Sequence, residues 1–209
     1  MPKELANPRG RVETVGSSRA HAVGGSVARV ISFDEQGWAT GIVAPLPIEG
    51  SWTLLAPEGE SRVDAARWAH QAETFFRATL RVVQEKRYPS GTLPIVDAVE
   101  IEIAPRGVEP TTRVLVVTLP IDRLPAAQRA GEAGARAIGG AGMDVLVARA
   151  RRVWQIAGSV TEGGNPLAPL AIAGVLASLL LAPIVPPGAG TIFGVKGARE
   201  RLSAAGWKS

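Results

Sequence analysis

The chain has 209 residues, a formal net charge of +4 and no cysteine. Its length fits one medium domain, with or without an appendage, and is sufficient for a buried core. The lack of cysteine excludes disulfides, thiolate metal sites and cysteine nucleophiles. The basic residues are spread along the chain, usually beside acidic ones, whereas nucleic-acid sites cluster basic and aromatic side chains, so a nucleic-acid partner is not expected.

The N-terminal part predicts an arm followed by strands. Residues 1–25 are polar and lack both helical periodicity and the apolar run of a secretory signal, which predicts a flexible or docking N-terminal arm. Two β-rich runs, 27–33 and 38–44, are joined by a four-residue loop that ends in glycine, and they predict a hairpin. A third short strand is expected at 52–56.

A long amphipathic helix is predicted over residues 62–87. Ser61 and Asp64 have the spacing of a capping box, in which each side chain bonds a backbone N–H at the start of the helix. Small and apolar side chains then recur at three- and four-residue steps, which indicates one buried face. They are Ala65, Trp68, Ala72, Phe75, Phe76, Thr79 and Val83. The turn-forming residues 88–91 end this helix.

Two further strands are predicted after the helix. In residues 95–103, apolar side chains alternate with Glu100 and Glu102, which indicates one solvent-exposed face. Residues 113–120 are apolar on both faces, so this strand is expected at the centre of the sheet. The predicted fold class is therefore α+β: residues 26–122 form a five-stranded antiparallel sheet in the order β-β-β-α-β-β with one packed helix.

Residues 123–209 predict a helical region rich in glycine, alanine and apolar residues. Asp122 can cap a helix that includes Pro125. The glycines between positions 139 and 142 predict a break, because each interior glycine costs roughly 1 kcal/mol relative to alanine. After the break, residues 143–158 are expected to form a basic amphipathic helix that carries Trp154. The final helix is expected at 195–206.

A segment without any ionisable side chain, residues 163–195, contains a strongly apolar helix. Asn165 and Pro166 predict its start, and Pro183 predicts its end because it disfavours the helical conformation of Ala182. About sixteen residues of helix span roughly 24 Å, short of the ~30 Å core of a bilayer. A helix apolar on all sides must be covered all round. Burial in the core or in a subunit interface is therefore expected, with membrane contact as the alternative.

Few residues suggest catalytic chemistry. His21 and His70 have no partner at metal-ligand spacing, no G-x-S-x-G serine motif occurs, and the glycine-rich run 186–197 lacks the ending of a phosphate loop. Glu100 and Glu102 share a strand face about 7 Å apart and could form an acid–base pair or bind a cation. The simpler explanation is solvation of an exposed sheet face. No metal or cofactor is expected.

The sequence therefore predicts a non-catalytic structural component of a bacterial multi-subunit assembly, docking onto a protein partner or another copy through its apolar C-terminal helices. The bacterial origin is inferred from arginine outnumbering lysine by nineteen to four. The residues expected at the interface are Trp154, Leu170, Leu176, Leu180, Ile184 and Trp207. The alternatives are a membrane-associated or membrane-inserting protein that uses residues 143–195, and an enzyme without histidine or cysteine chemistry. The expected location is the cytoplasm, either free or at the surface of the inner membrane.

Overall fold

Six strands form the sheet in the computed structural model, which describes residues 31–33, 39, 43–83, 88–159, 163–188 and 190–207. The strands are β1 (Trp52–Ala56), β2 (Ala78–Val82), β3 (Ala98–Pro105), β4 (Thr112–Pro120), β5 (Arg152–Ser159) and β6 (Ile184–Val185). All neighbours pair antiparallel, in the spatial order β2-β3-β4-β5-β1-β6. Within the described residues, the α-helices are α1 (Ala65–Phe76), α2 (Pro125–Ala137), α3 (Met143–Ala148), α4 (Ala168–Leu180) and α5 (Val195–Ala204).

Helices pack on both faces of this sheet, because successive strand residues point into two different cores. Leu54 and Val116 belong to a core shared with α1, α4 and α5. Their chain neighbours Leu55 and Val117 belong to a second core, shared with α2 and α3. The alternation follows from the two-residue period of a strand. The described part of residues 31–209, one compact unit, is therefore built in three layers.

The α+β class and the antiparallel sheet are confirmed, but the sheet has six strands rather than five. β4 lies between β3 and β5, as predicted for a strand that is apolar on both faces. The predicted hairpin of residues 27–44 lies mostly outside the described residues. The part of it that is described contains an isolated antiparallel bridge between Phe33 and Ala39.

The helix predicted over residues 62–87 is wrong for residues 77–83, and residues 84–87 lie outside the described residues. It begins at Ala65, where the carboxylate of the N-cap residue Asp64 accepts a hydrogen bond from the backbone N–H of Arg67. It ends at Phe76, and the C-cap residue Arg77 that follows has a left-handed φ of 44°. Residues 78–82 then form the edge strand β2, with buried and exposed side chains in strict alternation. This five-residue run fits a strand and a helix about equally well, and pairing with β3 decides between them.

The basic amphipathic helix predicted over residues 143–158 is confirmed only for residues 143–148 and is wrong after them. α3 ends at Ala148, and β5 follows, paired with both β4 and β1. Residues 153–156 are buried on both faces of the sheet, and a short apolar run of this kind fits a buried strand as well as a helix. The C-terminal part therefore contributes two strands. The break near the glycines is confirmed, since residues 139–142 all have positive φ and separate α2 from α3.

The helix of the charge-free segment is α4, which has 13 residues, fewer than the sixteen expected. It packs on the sheet with α1 and α5 beside it, and residues 168–177 are buried. The cover that an apolar helix requires is thus supplied by its own chain, except at Ser178 and Leu179, which are half-buried. Among the described residues, no helix has both the length and the apolar character needed to cross a membrane.

Candidate functional site

A cleft of about 860 Å³ opens between α1 and α5, with Ser178 of α4 on its floor. From α1, Gln71 and Phe75 line it. From α5, the lining residues are Val195, Lys196, Arg199, Glu200, Ser203 and Ala204. Ser178 belongs to the strip of α4 that the two flanking helices leave uncovered, so the cleft is a consequence of how α4 is buried.

The polar groups on the floor of the cleft are bonded to one another. The Nε2 atom of Gln71 donates a hydrogen bond to the Oγ atom of Ser178 at 2.8 Å. The same hydroxyl donates to the carbonyl oxygen of Val175 at 2.7 Å. The floor is therefore uncharged and its hydroxyl is already paired. The floor suits an uncharged side chain, because it offers no ionised group to compensate a charge for lost solvation.

The rim of the cleft combines an exposed aromatic ring with charges of both signs. Phe75 is 46% exposed, whereas its neighbour Phe76 is 1% exposed. Lys196 and Glu200 stand one turn apart on α5 with 3.9 Å between Nζ and Oε1, and their side chains are 91% and 65% exposed. An ion pair this long and this exposed contributes little to folding, so both charges are available to a neighbouring molecule.

A second polar feature lies on the sheet face of β2, β3 and β4. Glu102 stands directly across from Arg81 on one side and Arg113 on the other. Its Oε2 atom accepts a hydrogen bond from Arg81 at 2.6 Å, and its Oε1 atom accepts one from Arg113 at 2.9 Å. The hydrogen bond from Arg81, followed by that from Arg113, lowers the pKa of the Glu102 carboxyl. The hydrogen bond to Glu102 raises the pKa of Arg113.

These ion pairs argue against the acid–base role that the sequence allows for Glu100 and Glu102. A carboxylate held by two guanidinium groups stays ionised near neutral pH, so it is a poor proton donor. Glu100 also faces a guanidinium group, with 3.7 Å between its Oε2 atom and Nη1 of Arg113. The geometry therefore favours a structural explanation for both residues. They neutralise the arginines of an exposed sheet face.

The six residues predicted at an interface lie in the interior of the chain. Trp154, Leu170, Leu176, Leu180, Ile184 and Trp207 are all buried. Trp154 packs edge-to-face against Trp68 with 5.9 Å between the ring centroids. The Nε1 atom of Trp207 donates a hydrogen bond to the carbonyl oxygen of Phe76 at 3.1 Å. Contacts within the chain account for this burial, and a role of the six residues in an intermolecular contact stays a prediction.

The cleft itself was not expected from the sequence, because Phe75 was assigned to the buried face of α1. The helical spacing does indicate that Phe75 lies apart from the centre of that face. At 100° per residue, Trp68 and Phe76 lie about 40° to either side of Ala72, whereas Phe75 lies about 60° from it. Phe75 is thus at the margin of the buried stripe, and the structure leaves it at the rim of the cleft.

The remaining sequence candidates do not converge on a site. His70 is exposed on α1, and His21 lies outside the described residues. The glycine-rich run 186–197 leads into α5, whose N-cap is Gly194. Within the part of the chain that the structure describes, no three His, Asp or Glu side chains are grouped closely enough to hold a metal ion.

No protein-family model matches this chain, and neither a curated protein nor a solved structure matches it. Its function is therefore inferred from the cleft and the residues that surround it.

Proposed function

We propose that this chain is a non-catalytic interaction module that binds a protein partner through the cleft between α1 and α5. The observation that carries the proposal is Phe75, a large aromatic side chain that is 46% exposed at the rim of a recess with an uncharged floor. Aromatic side chains dominate the energetics of protein interfaces, and the strongest contributions come from rings that enter well-packed pockets. A partner that covers Phe75 would remove this ring from water.

The distribution of charge in the cleft supports the same function. Its ionisable residues, Lys196, Arg199 and Glu200, are all exposed and all on α5, whereas Ser178 and Gln71 form a neutral floor. A polar rim around a less polar centre is the usual anatomy of a protein interface. A general acid or base would instead have to face the reacting atoms inside the recess, and the floor presents only a paired hydroxyl and an amide.

The proposal keeps the interaction role that the sequence predicts but assigns it to different residues. Docking was expected through the apolar side chains of the C-terminal helices. In the proposed interface, α4 is the buried support of the cleft, while α1 and α5 supply the contacting side chains.

Site-specific photo-crosslinking in the native host tests this proposal. A benzophenone amino acid placed at Ser203, an exposed residue of the cleft lining, is expected to yield an adduct of discrete mass on irradiation. The control position is Arg129, which is exposed on α2 in the helical layer on the other face of the sheet, and should yield none. Adding Phe75→Asp to the Ser203 probe should abolish the adduct. An absent adduct at Ser203, or equal adducts at both positions, would show that the proposal is wrong.

A further inference from the structure

We infer that the partner in the α1–α5 cleft is a second copy of this chain, related to the first by a two-fold axis. This inference rests on the proposed function, because it names the occupant of the same cleft. In a two-fold dimer, one surface patch contacts itself, so every projection in the patch needs a complementary recess within the same patch. Phe75 and the recess beside it meet this condition for shape, and Lys196 and Glu200 meet it for charge.

The shape condition is met by Phe75 and the recess beside it. Phe75 projects at the rim, 46% exposed, next to a recess of about 860 Å³ that Ser178 and Val195 help to line. A two-fold operation that brings two clefts face to face covers each Phe75 with the cleft of the other copy. Both rings leave water in the same step, so the apolar gain of the contact is doubled.

The charge condition is met by Lys196 and Glu200. When two α5 helices run antiparallel about an axis level with Ala198, position 196 of one copy is level with position 200 of the other. Each dimer then contains two crossed Lys–Glu pairs. Inside one chain the same two side chains are 3.9 Å apart and largely exposed, so little is lost when they change partners.

Sedimentation equilibrium of the purified full-length chain tests the shape condition. The unmodified chain is expected to approach twice its mass of 21.8 kDa as its concentration rises. Phe75→Asp is expected to sediment as a monomer. The control Thr74→Asp adds the same charge at an exposed neighbouring position outside the cleft lining and should leave dimerisation unchanged.

Charge reversal tests the crossed pairs. Lys196→Glu and Glu200→Lys should each weaken the dimer, on the order of tenfold, because each variant places like charges opposite one another twice. Mixing the two variants should restore dimers, since opposite charges then face each other in every crossed pair. Both variants have lost the ion pair within the chain, so recovery on mixing can come only from contacts between chains. This arm does not depend on whether Phe75→Asp folds.

Three outcomes would overturn the inference: a wild-type monomer at every concentration, a dimer that Phe75→Asp leaves intact, or variants that do not recover on mixing. The crosslinking experiment separates this failure from that of the proposed function. A cleft-dependent adduct whose mass differs from twice that of the chain would support a protein-binding cleft with another partner. Absence of both the adduct and the dimer would contradict both proposals.

Discussion

The ring of Phe76 in α1 packs against the backbone of Gly174 in α4, so closely that a Cβ atom at position 174 would lie 2.5 Å from Cε1 of the ring. Phe76 is 1% exposed, which leaves its ring little room to move. The same Cβ atom would lie 3.4 Å from the methyl group of Ala198 in α5, which is an ordinary van der Waals contact. Gly174 therefore sets how closely α1 approaches α4, because a Cβ atom there would clash with the ring of Phe76.

Replacing Gly174 by alanine is expected to lower the free energy of unfolding by about 1–3 kcal/mol, because the added methyl group overpacks the contact with Phe76. The direction of this change is informative, because glycine-to-alanine in an unconstrained helix raises the free energy of unfolding by up to about 1 kcal/mol. The control is Gly59→Ala, where an added Cβ meets nothing within 4 Å. Adding Phe76→Leu to Gly174→Ala should cost less than the sum of the two single changes. Denaturant unfolding measures all four, and a higher midpoint for Gly174→Ala would refute the packing argument.

Leu181 follows α4 in a left-handed conformation with φ of 51°, and it is 73% exposed. Glycine is preferred at this position because a Cβ atom is strained there. Leu181→Gly is therefore expected to raise the free energy of unfolding by about 0.5–1 kcal/mol, the relief of strain exceeding the added entropy of the unfolded chain. Leu181→Ala keeps the Cβ atom and should bring no such gain. Equal thermal midpoints for the two variants would contradict this account.

The side chain of Gln155 hydrogen-bonds the backbone of the segment before β1, as a neighbouring strand would. Its side chain is fully buried; Oε1 accepts from the backbone N–H of Leu46 at 2.9 Å, and Nε2 donates to the carbonyl of Leu46 at 2.8 Å. Gln155→Leu leaves both backbone groups unpaired and is expected to cost about 2–4 kcal/mol. Hydrogen exchange at the Leu46 amide should accelerate. Gln71→Leu, in the half-buried floor of the cleft, serves as the milder control, and an equal loss in both variants would argue against the clamp.

Glu102 predicts a pH dependence of stability whose sign follows from its lowered pKa. A carboxyl with a pKa lower in the folded chain than in the unfolded chain stabilises the fold above its unfolded pKa of about 4.3. That contribution disappears as the pH falls through the folded value. Glu102→Gln should therefore cost about 1 kcal/mol at pH 7, and the difference from wild type should shrink below pH 4.3.

The matched control for Glu102 is Glu73→Gln, whose partner Arg106 is 3.8 Å away with both side chains largely exposed. It should change stability little at any pH, because exposed ion pairs are weak. Unfolding curves for both variants between acidic and neutral pH provide the measurement. A deficit of Glu102→Gln that persists unchanged at pH 3 would show that the ion pairs with Arg81 and Arg113 are not its cause.

The sequence alone determined the features that depend on neighbouring residues. Glu100 and Glu102 alternate with apolar residues, and this pattern identified the strand now seen as β3 with its polar face. The glycines at 139–142 predicted the break between α2 and α3, because left-handed backbone is a local property of glycine. The absence of charge from residue 163 to residue 195 predicted that the helix there must be covered, which follows from the cost of exposing an apolar surface.

Tertiary structure decided the rest, because it depends on residues far apart in the chain. Residues 78–82 form a strand because they pair with β3, and residues 152–159 form one because they pair with β4 and β1. The sequence of such a short run does not specify which strands it pairs with. The cleft is determined in the same way. α1 and α5 are more than a hundred residues apart in sequence, and the gap between them is set by how each packs on α4. No local pattern in either helix encodes that distance.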